Sequence, residues 1–479
     1  MAHLAYNESF CTACCASPGG QLQSREAESF TVAGRWQITT SVIGIRREDK
    51  SRWERRVPLV PSGVSELQAR HGLRFVVQPS DIRVFKDKEF RAVGATVNED
   101  LSQTDVILAV KEVPACLILE KKVYVFFAHV TKGQSYNMGM LRRLMELGCS
   151  LVDYERITDD NRKRLIFFGR HAGYAGMIDT LRCLGQRLLL TGMRTPLAEV
   201  KPAYEYTDLP AAKDHLKELG MAFARSNGMP LLVFGFSGYG NVSSGAQEVL
   251  ECLLPRDVSV ADLPETASVS SGTRPVKVVF REEDMVEPDD PDRRFDLAEY
   301  YEHPERYRGC FEKHLPYLDV LVNAIYWEPR YPRLVTREWA RDNYRPNRLP
   351  RLKVIGDISC DVEGSVELTL RTTQPDSPWY VYLPGEDAAR DGLEGDGPAI
   401  MAVDNLPCEI PRESSEYFCA VLKDMVYPLA SADWRSSFEA LDLPACLKRA
   451  VIVHNGELTP GYRYLNEHVR SHSQHADVR

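Results

Sequence analysis

Residues 230–253 read PLLVFGFSGYGNVSSGAQEVLECL, and the organisation of the chain is worked out from them. LLVFGF is an apolar stretch of strand length, Gly238-Tyr239-Gly240 is a tight turn, and Ser244 to Leu254 has helical composition. The glycines therefore stand between a strand and a helix, the setting a dinucleotide-binding turn needs. Gly238 permits the turn, Gly240 lets the backbone approach a pyrophosphate, and Asn241, Val242 and Ser243 open the helix toward phosphate charge. The third glycine position holds Ser243, with Gly245-Ala246 just beyond it. A purely structural glycine turn gives similar strings, so this signal alone leaves both readings open. The acidic residue that meets the adenosine ribose is expected after the next strand, in VSVADLPE, where Asp262 and Glu265 both qualify. The choice between NADP and NAD stays open at this point.

Upstream, SVIGIRRE (41–48), LRFVVQPS (73–80), VILAVK (106–111), VYVFFAHV (123–130) and CSLVDYE (149–155) read as strands. Between them, Ser62 and Gly72 bracket a helix around Val64 to Arg70, and MLRRLMELG (140–148) reads as another. Strands alternating with helices make an α/β layer, and apolar strands without strict alternation suggest mostly parallel sheets covered on both faces. From Ala175, residues Met177, Ile178, Leu181, Leu184 and Leu188 recur at helical spacing and predict a long buried helix. The polar, proline-marked stretch Thr195 to Lys213 separates this unit from the one holding the glycine turn. The expectation is two Rossmann-like α/β domains flanking a cleft. Residues 40–205 form the first, completed by 402–468, and 206–401 form the second; 1–39 is a disordered leader and 469–479 a tail.

Composition narrows the function classes. The chain has 479 residues, 44% hydrophobic, with a formal net charge of −9, so it supplies no basic stripe for nucleic acid or an anionic membrane. Its apolar runs, such as Val123 to Ala128, are far short of the ~20 residues of a membrane helix. The 12 cysteines are scattered without the spacing of a disulfide scaffold, which fits a reducing compartment. Cys11, Cys14 and Cys15 cluster without a second pair or nearby histidines, so no metal site is expected. The leader carries Glu8, Glu26 and Glu28 and fits neither a secretory signal nor an acid-poor transit peptide. Mitochondrial matrix and cytoplasm both remain.

The ionisable stretches REDKSRWERRVPLVP, AVKEVP, FFAHVTKGQ, DYERI and RKRLIFFGRHAGYAG, followed by HPERY, NAIYW, PRLVT, GDISCD and VDNLPCEIPRESSEYF, resemble one family in order. That family is the lysine-ketoglutarate reductase part of α-aminoadipic semialdehyde synthase, with saccharopine dehydrogenases and alanine dehydrogenases as more distant kin. The resemblance spans about Ser41 to Tyr464. It implies condensation of L-lysine with 2-oxoglutarate and reduction of the imine by NADPH to saccharopine, with NAD as the alternative cofactor. Such chemistry needs an acid/base pair, because the ε-ammonium must lose a proton and the carbinolamine must gain one before water leaves. By resemblance the pair is Lys111 and His129; a solvated strand end and a core histidine are the plain alternatives.

The same resemblance carries Glu112 and Glu155 over as carboxylates beside the pair. It makes Arg56, and more weakly Arg164, the guanidinium forks for substrate carboxylates. Asn323, Asp357 and Asp361 lie in segments that border the nicotinamide in such folds. Departures from the family pattern fall at His171 and Ala324 and remove no group the chemistry needs. An NAD-dependent lysine-forming enzyme, an alanine-dehydrogenase-like enzyme and a non-catalytic regulatory module are the competing readings. Since RSHSQHADVR ends the sequence without another strand, glycine turn and helix, one nicotinamide site is expected. A separate glutamate-forming saccharopine dehydrogenase is then the natural partner, and a homo-oligomer is compatible.

Overall fold

The computed structural model describes residues 41–226, 228–345 and 350–476, with side chains to 470. The expected leader and its Cys11, Cys14 and Cys15 lie outside the described residues. None of the described helices is long and apolar enough to cross a membrane.

Five of the expected segments form strands of one sheet: β1 (Val42–Ile45), β2 (Arg74–Val77), β4 (Val106–Leu108), β5 (Val123–Phe126) and β6 (Ser150–Asp153), with the two-residue β3 (Thr96–Val97) at an edge. All six run parallel, in the order β6-β5-β4-β1-β2-β3. Near the end of the chain β17 (Val451–His454) and β18 (Glu457–Leu458) return and add to β6 antiparallel. The helix Pro61–His71 stops at Gly72, whose φ of +66° costs a glycine little.

The second sheet is built around the glycine-turn strand. β7 (Val233–Ser237) lies between β9 (Val276–Phe280) and β12 (Val320–Asn323), followed on one side by β13 (Val354–Asp357) and β16 (Ala399–Met401), all parallel. β14 (Trp379–Leu383) and β15 (Ala388–Asp391) complete that edge antiparallel, and β8 (Arg256–Asp257) forms the other edge, outside β9. Between β9 and β12 the chain makes an excursion with a two-stranded ribbon, β10 (Val286–Pro288) and β11 (Tyr307–Gly309). The α/β class and the two mostly parallel sheets agree with the sequence reading.

The cores divide the chain at different points from those expected. The helix Gly169–Leu190, assigned to the first domain, buries Ile178, Leu181, Leu184 and Leu188 in the same cluster as Phe234 and Phe236 of β7. It approaches the helix Asn241–Leu250 backbone to backbone: a Cβ on Gly173 would stand 2.1 Å from the Val242 carbonyl, and one on Gly245 2.2 Å from the Arg170 carbonyl. Helix packing of this closeness ties residues 169–190 to the second sheet. The return to the first core comes with the helix Pro411–Ser431, through Phe418, Leu422, Val426 and Leu429, rather than at 402. The expected tail is also shorter than read, since the last helix runs Leu465–Ala476.

Candidate active site

In an open α/β sheet the order of strands reverses direction at one place, leaving a crevice at the carboxyl ends of two strands whose connections diverge. In the first sheet that place lies between β1 and β4, and in the second between β7 and β12. Lys111 follows β4, and Lys50, Ser51 and Glu54 follow β1; together with Thr373, Gln374, Asp404 and Asn405 they line a cleft of about 290 Å³. The first-domain chemistry and the returning segment therefore meet at a switch point, a position set by topology and by no single motif.

Lys111 stands just past the end of β4, in the wall of this cleft. Its backbone N–H donates to the buried Glu48 carboxylate at 2.9 Å, while its side-chain nitrogen has no hydrogen bond or ion pair among the described residues. Burial, reinforced by Arg56 and Lys50, lowers its pKa against the opposing pull of Glu54 and Glu112. Beside it, Glu112 gathers three donors: His129 Nδ1 at 2.8 Å, Lys50 Nζ at 2.8 Å and Asn137 Nδ2 at 3.0 Å. Burial opposes ionisation of Glu112, yet these bonds outweigh it and hold the carboxyl far below the usual carboxylate range. His129 sits at φ +46°, left-handed backbone that a non-glycine residue adopts at some cost. Asn137 Nδ2 also donates to the Ala128 carbonyl at 2.9 Å and the His129 carbonyl at 3.3 Å, on either side of that turn of the backbone.

Arg56 does not present a free fork. Its Nε and Nη2 close on Glu54 at 2.7 and 2.6 Å, and Nη2 also reaches Asn405 at 3.1 Å. Both side chains are fully buried, and the guanidinium lies 4.8 Å from the Phe168 ring centre. An ion pair taken out of water must be closely matched, and in this structure Arg56, expected as a fork for a substrate carboxylate, is engaged by Glu54 in the cleft wall. Arg164 and Glu155, expected separately as substrate contacts, are ion-paired to each other.

The glycine turn meets the requirements read from sequence. Gly238 has φ +81°, and a Cβ on Gly240 would meet nothing within 4 Å. The helix Asn241–Leu250 starts without a side-chain cap, leaving its first amides open. Ser243 faces inward, its hydroxyl accepting from Gln247 Nε2 at 3.0 Å. Gly245 serves the close helix packing that the third glycine normally permits. These residues fit the pyrophosphate of a dinucleotide.

Three other expected contacts move. Asp262 lies in a short turn beyond β8, its carboxylate accepting from Ser259 Oγ at 2.6 Å, and β9 lies between that edge and β7. The position next to the turn belongs instead to Arg281 and Glu282, at the end of β9. Asn323 and Asp357 are buried in a closed network: Ser237 Oγ donates to Asn323 Oδ1 at 2.9 Å, Asn323 Nδ2 to Asp357 Oδ1 at 2.8 Å, and Thr369 Oγ1 to Asp357 Oδ2 at 2.5 Å. They fix the carboxyl ends of β7, β12 and β13 and offer no free group to a ligand. Asp361, unlike Asn323 and Asp357, is exposed and faces the charge of Lys132 from the first domain. The sequence reading missed Glu48, Lys50, Glu54 and Asn137; the first three lie in the quoted REDKSRWERR, where buried and solvated charges look alike.

Comparison with known proteins agrees with this architecture. Residues 44–175 match the alanine dehydrogenase/PNT N-terminal domain. The chain is 40% identical over 461 residues to alpha-aminoadipic semialdehyde synthase of Arabidopsis thaliana, covering 92% of this chain and 43% of that protein. It is 34% identical over 455 residues to the mitochondrial alpha-aminoadipic semialdehyde synthase of Bos taurus, covering 91% and 48%. The chain thus spans less than half the length of these relatives. With the lysine-forming, NAD(+) saccharopine dehydrogenase of Emericella nidulans it shares 28% identity, covering 79% of this chain and 90% of that one. An L-alanine dehydrogenase structure superposes with a TM-score of 0.58 at 18% identity, over 89% of this chain and 99% of that one, which establishes the fold. The chain is a homologue of the alpha-aminoadipic semialdehyde synthases over the part of them that it spans, with more distant similarity to the lysine-forming saccharopine dehydrogenases.

Proposed function

We propose that the chain is a lysine-ketoglutarate reductase of lysine degradation, an oxidoreductase that joins L-lysine to 2-oxoglutarate and reduces the imine with NADPH to saccharopine. The observation that carries this reading is the unpartnered, desolvated amine of Lys111 at the switch point, beside the Glu112–His129 pair. A lysine whose pKa is lowered can take the proton from the substrate ε-ammonium, freeing the amine to attack the ketone. His129, oriented through Nδ1 by Glu112, can return a proton to the carbinolamine so that water departs. Glu112 and Lys50 balance the charge of the pair, and the buried Glu54–Arg56 unit stiffens the wall. The Gly238–Gly245 turn would hold the pyrophosphate of the dinucleotide, whose nicotinamide would supply a hydride to the imine carbon.

In this reading the chain works in the mitochondrial matrix or the cytoplasm, alone or as a homo-oligomer. It hands saccharopine to a glutamate-forming saccharopine dehydrogenase. Running the same chemistry toward lysine with NAD is the second reading, favoured by the similarity to the Emericella nidulans enzyme. The test is NADPH oxidation by the purified chain: it should require lysine and 2-oxoglutarate together. Equal oxidation with pyruvate and ammonia would refute the assignment.

A further inference from the structure

The strand order places an unusual group beside the dinucleotide turn. β9 rather than β8 neighbours β7, and the Gly238 N–H donates to the Phe280 carbonyl at 3.0 Å, so the turn and the end of β9 form one surface. The residue after such a neighbouring strand decides how the adenosine ribose is read: a carboxylate accepts from the free diol, whereas a guanidinium accommodates a 2′-phosphate. Both types occur here. Glu282 is engaged at each oxygen, by Tyr239 Oη at 3.1 Å and by Tyr301 Oη at 2.7 Å. Tyr301 belongs to the helix Leu297–Glu302, part of the excursion between β9 and β12. Arg281 lies with its guanidinium 4.9 Å from the Tyr239 ring centre and has no ion pair among the described residues. Of the neighbouring acids, Asp284 is committed to the Arg281 backbone N–H at 2.8 Å, and Glu283 is exposed.

We propose that Arg281 and Tyr301 set the cofactor preference: Arg281 takes the 2′-phosphate of NADPH, while Tyr301, with Tyr239, holds Glu282 away from a ribose diol. The excursion thereby acts as a lock on the acid that would otherwise select NADH. This deepens the reading of the glycine turn as a dinucleotide site and rests on it.

Calorimetric titration of the full chain with NADPH, NADH and adenosine 2′,5′-bisphosphate tests it without any turnover. Arg281→Ala should weaken NADPH and the bisphosphate about ten- to a hundredfold, the loss of one charge-assisted contact, and leave NADH unchanged. Tyr301→Phe should tighten NADH several-fold. NADPH binding that is indifferent to Arg281→Ala, or Tyr301→Phe without gain for NADH, overturns the proposal while the dinucleotide site stands. Failure of wild-type protein to bind either dinucleotide overturns both.

Discussion

Glu54 and Arg56 close a two-point ion pair that is almost wholly buried, with Nε to Oε1 at 2.7 Å and Nη2 to Oε2 at 2.6 Å. Asn405 of the returning segment bonds both partners, donating to Glu54 at 3.0 Å and accepting from Arg56 at 3.1 Å. The pair therefore joins the loop after β1 to the segment that leads back into the first domain. Arg56→Ala strands a buried carboxylate, and such losses cost about 3–5 kcal/mol. We expect that drop in denaturant unfolding, and a smaller one for the charge-free double variant Glu54→Gln, Arg56→Met. A stable Arg56→Ala protein whose only defect is a raised KM for 2-oxoglutarate would restore the role of free fork.

Lys111→Met should lower turnover by about a hundredfold or more, the usual yield of a lost acid/base group. Dinucleotide affinity, measured by fluorescence titration, should stay near the wild-type value because the glycine turn belongs to the other sheet. His129→Gln should behave alike. An active Lys111→Met, His129→Gln double variant would remove both from the chemistry.

Asp153 gives a pH prediction with a defined sign. Burial pushes its carboxyl up to about 7, against hydrogen bonds from Glu155 N at 2.9 Å and Ala128 N at 3.3 Å, and its second oxygen has no partner. A group whose folded pKa exceeds its unfolded value contributes stability below the unfolded pKa, near 4, and loses it as pH rises through 7. Asp153→Asn keeps the acceptor that serves both amides and removes the charge. It should match wild type near pH 4 and exceed it at pH 8 by up to a few kcal/mol. Parallel melting curves across that range check it; a constant offset would contradict it.

The glycines separate packing from binding. Gly240 has open space around its would-be Cβ, so Gly240→Val should fold and lose dinucleotide binding. Gly173→Ala meets the Val242 carbonyl and should destabilise by about 1–3 kcal/mol or more. Melting temperature and fluorescence titration together distinguish the two. Unimpaired NADPH binding by Gly240→Val would make the turn merely structural.

How much of this was legible beforehand depended on range. The strands and the glycine turn follow from local patterns, because apolar runs bounded by turn residues report their own geometry, whereas Lys111 and His129 stand out only through the family resemblance. Strand neighbours are not local: Asp262 and Glu265 follow the next strand in sequence, and only the sheet order reveals that β9 lies between β8 and β7. The stripe of Met177, Ile178 and Leu181 predicts a buried helical face without saying what it packs against, and the fold sets it on the second sheet rather than the first. Arg56, Asn323 and Asp357 look like free polar groups in sequence, and only the fold reveals that they are engaged by Glu54, Ser237 and Thr369.

The most direct test of the central claim is the mass of the product formed from [ε-15N]lysine, 2-oxoglutarate and NADPH by the purified chain. The account predicts a single new species equal to lysine plus 2-oxoglutarate, less water and plus two hydrogens, with the label kept in its secondary amine, and none of it when Lys111 is replaced by Met. Label released as ammonia, or NADPH consumed without that species, would contradict it.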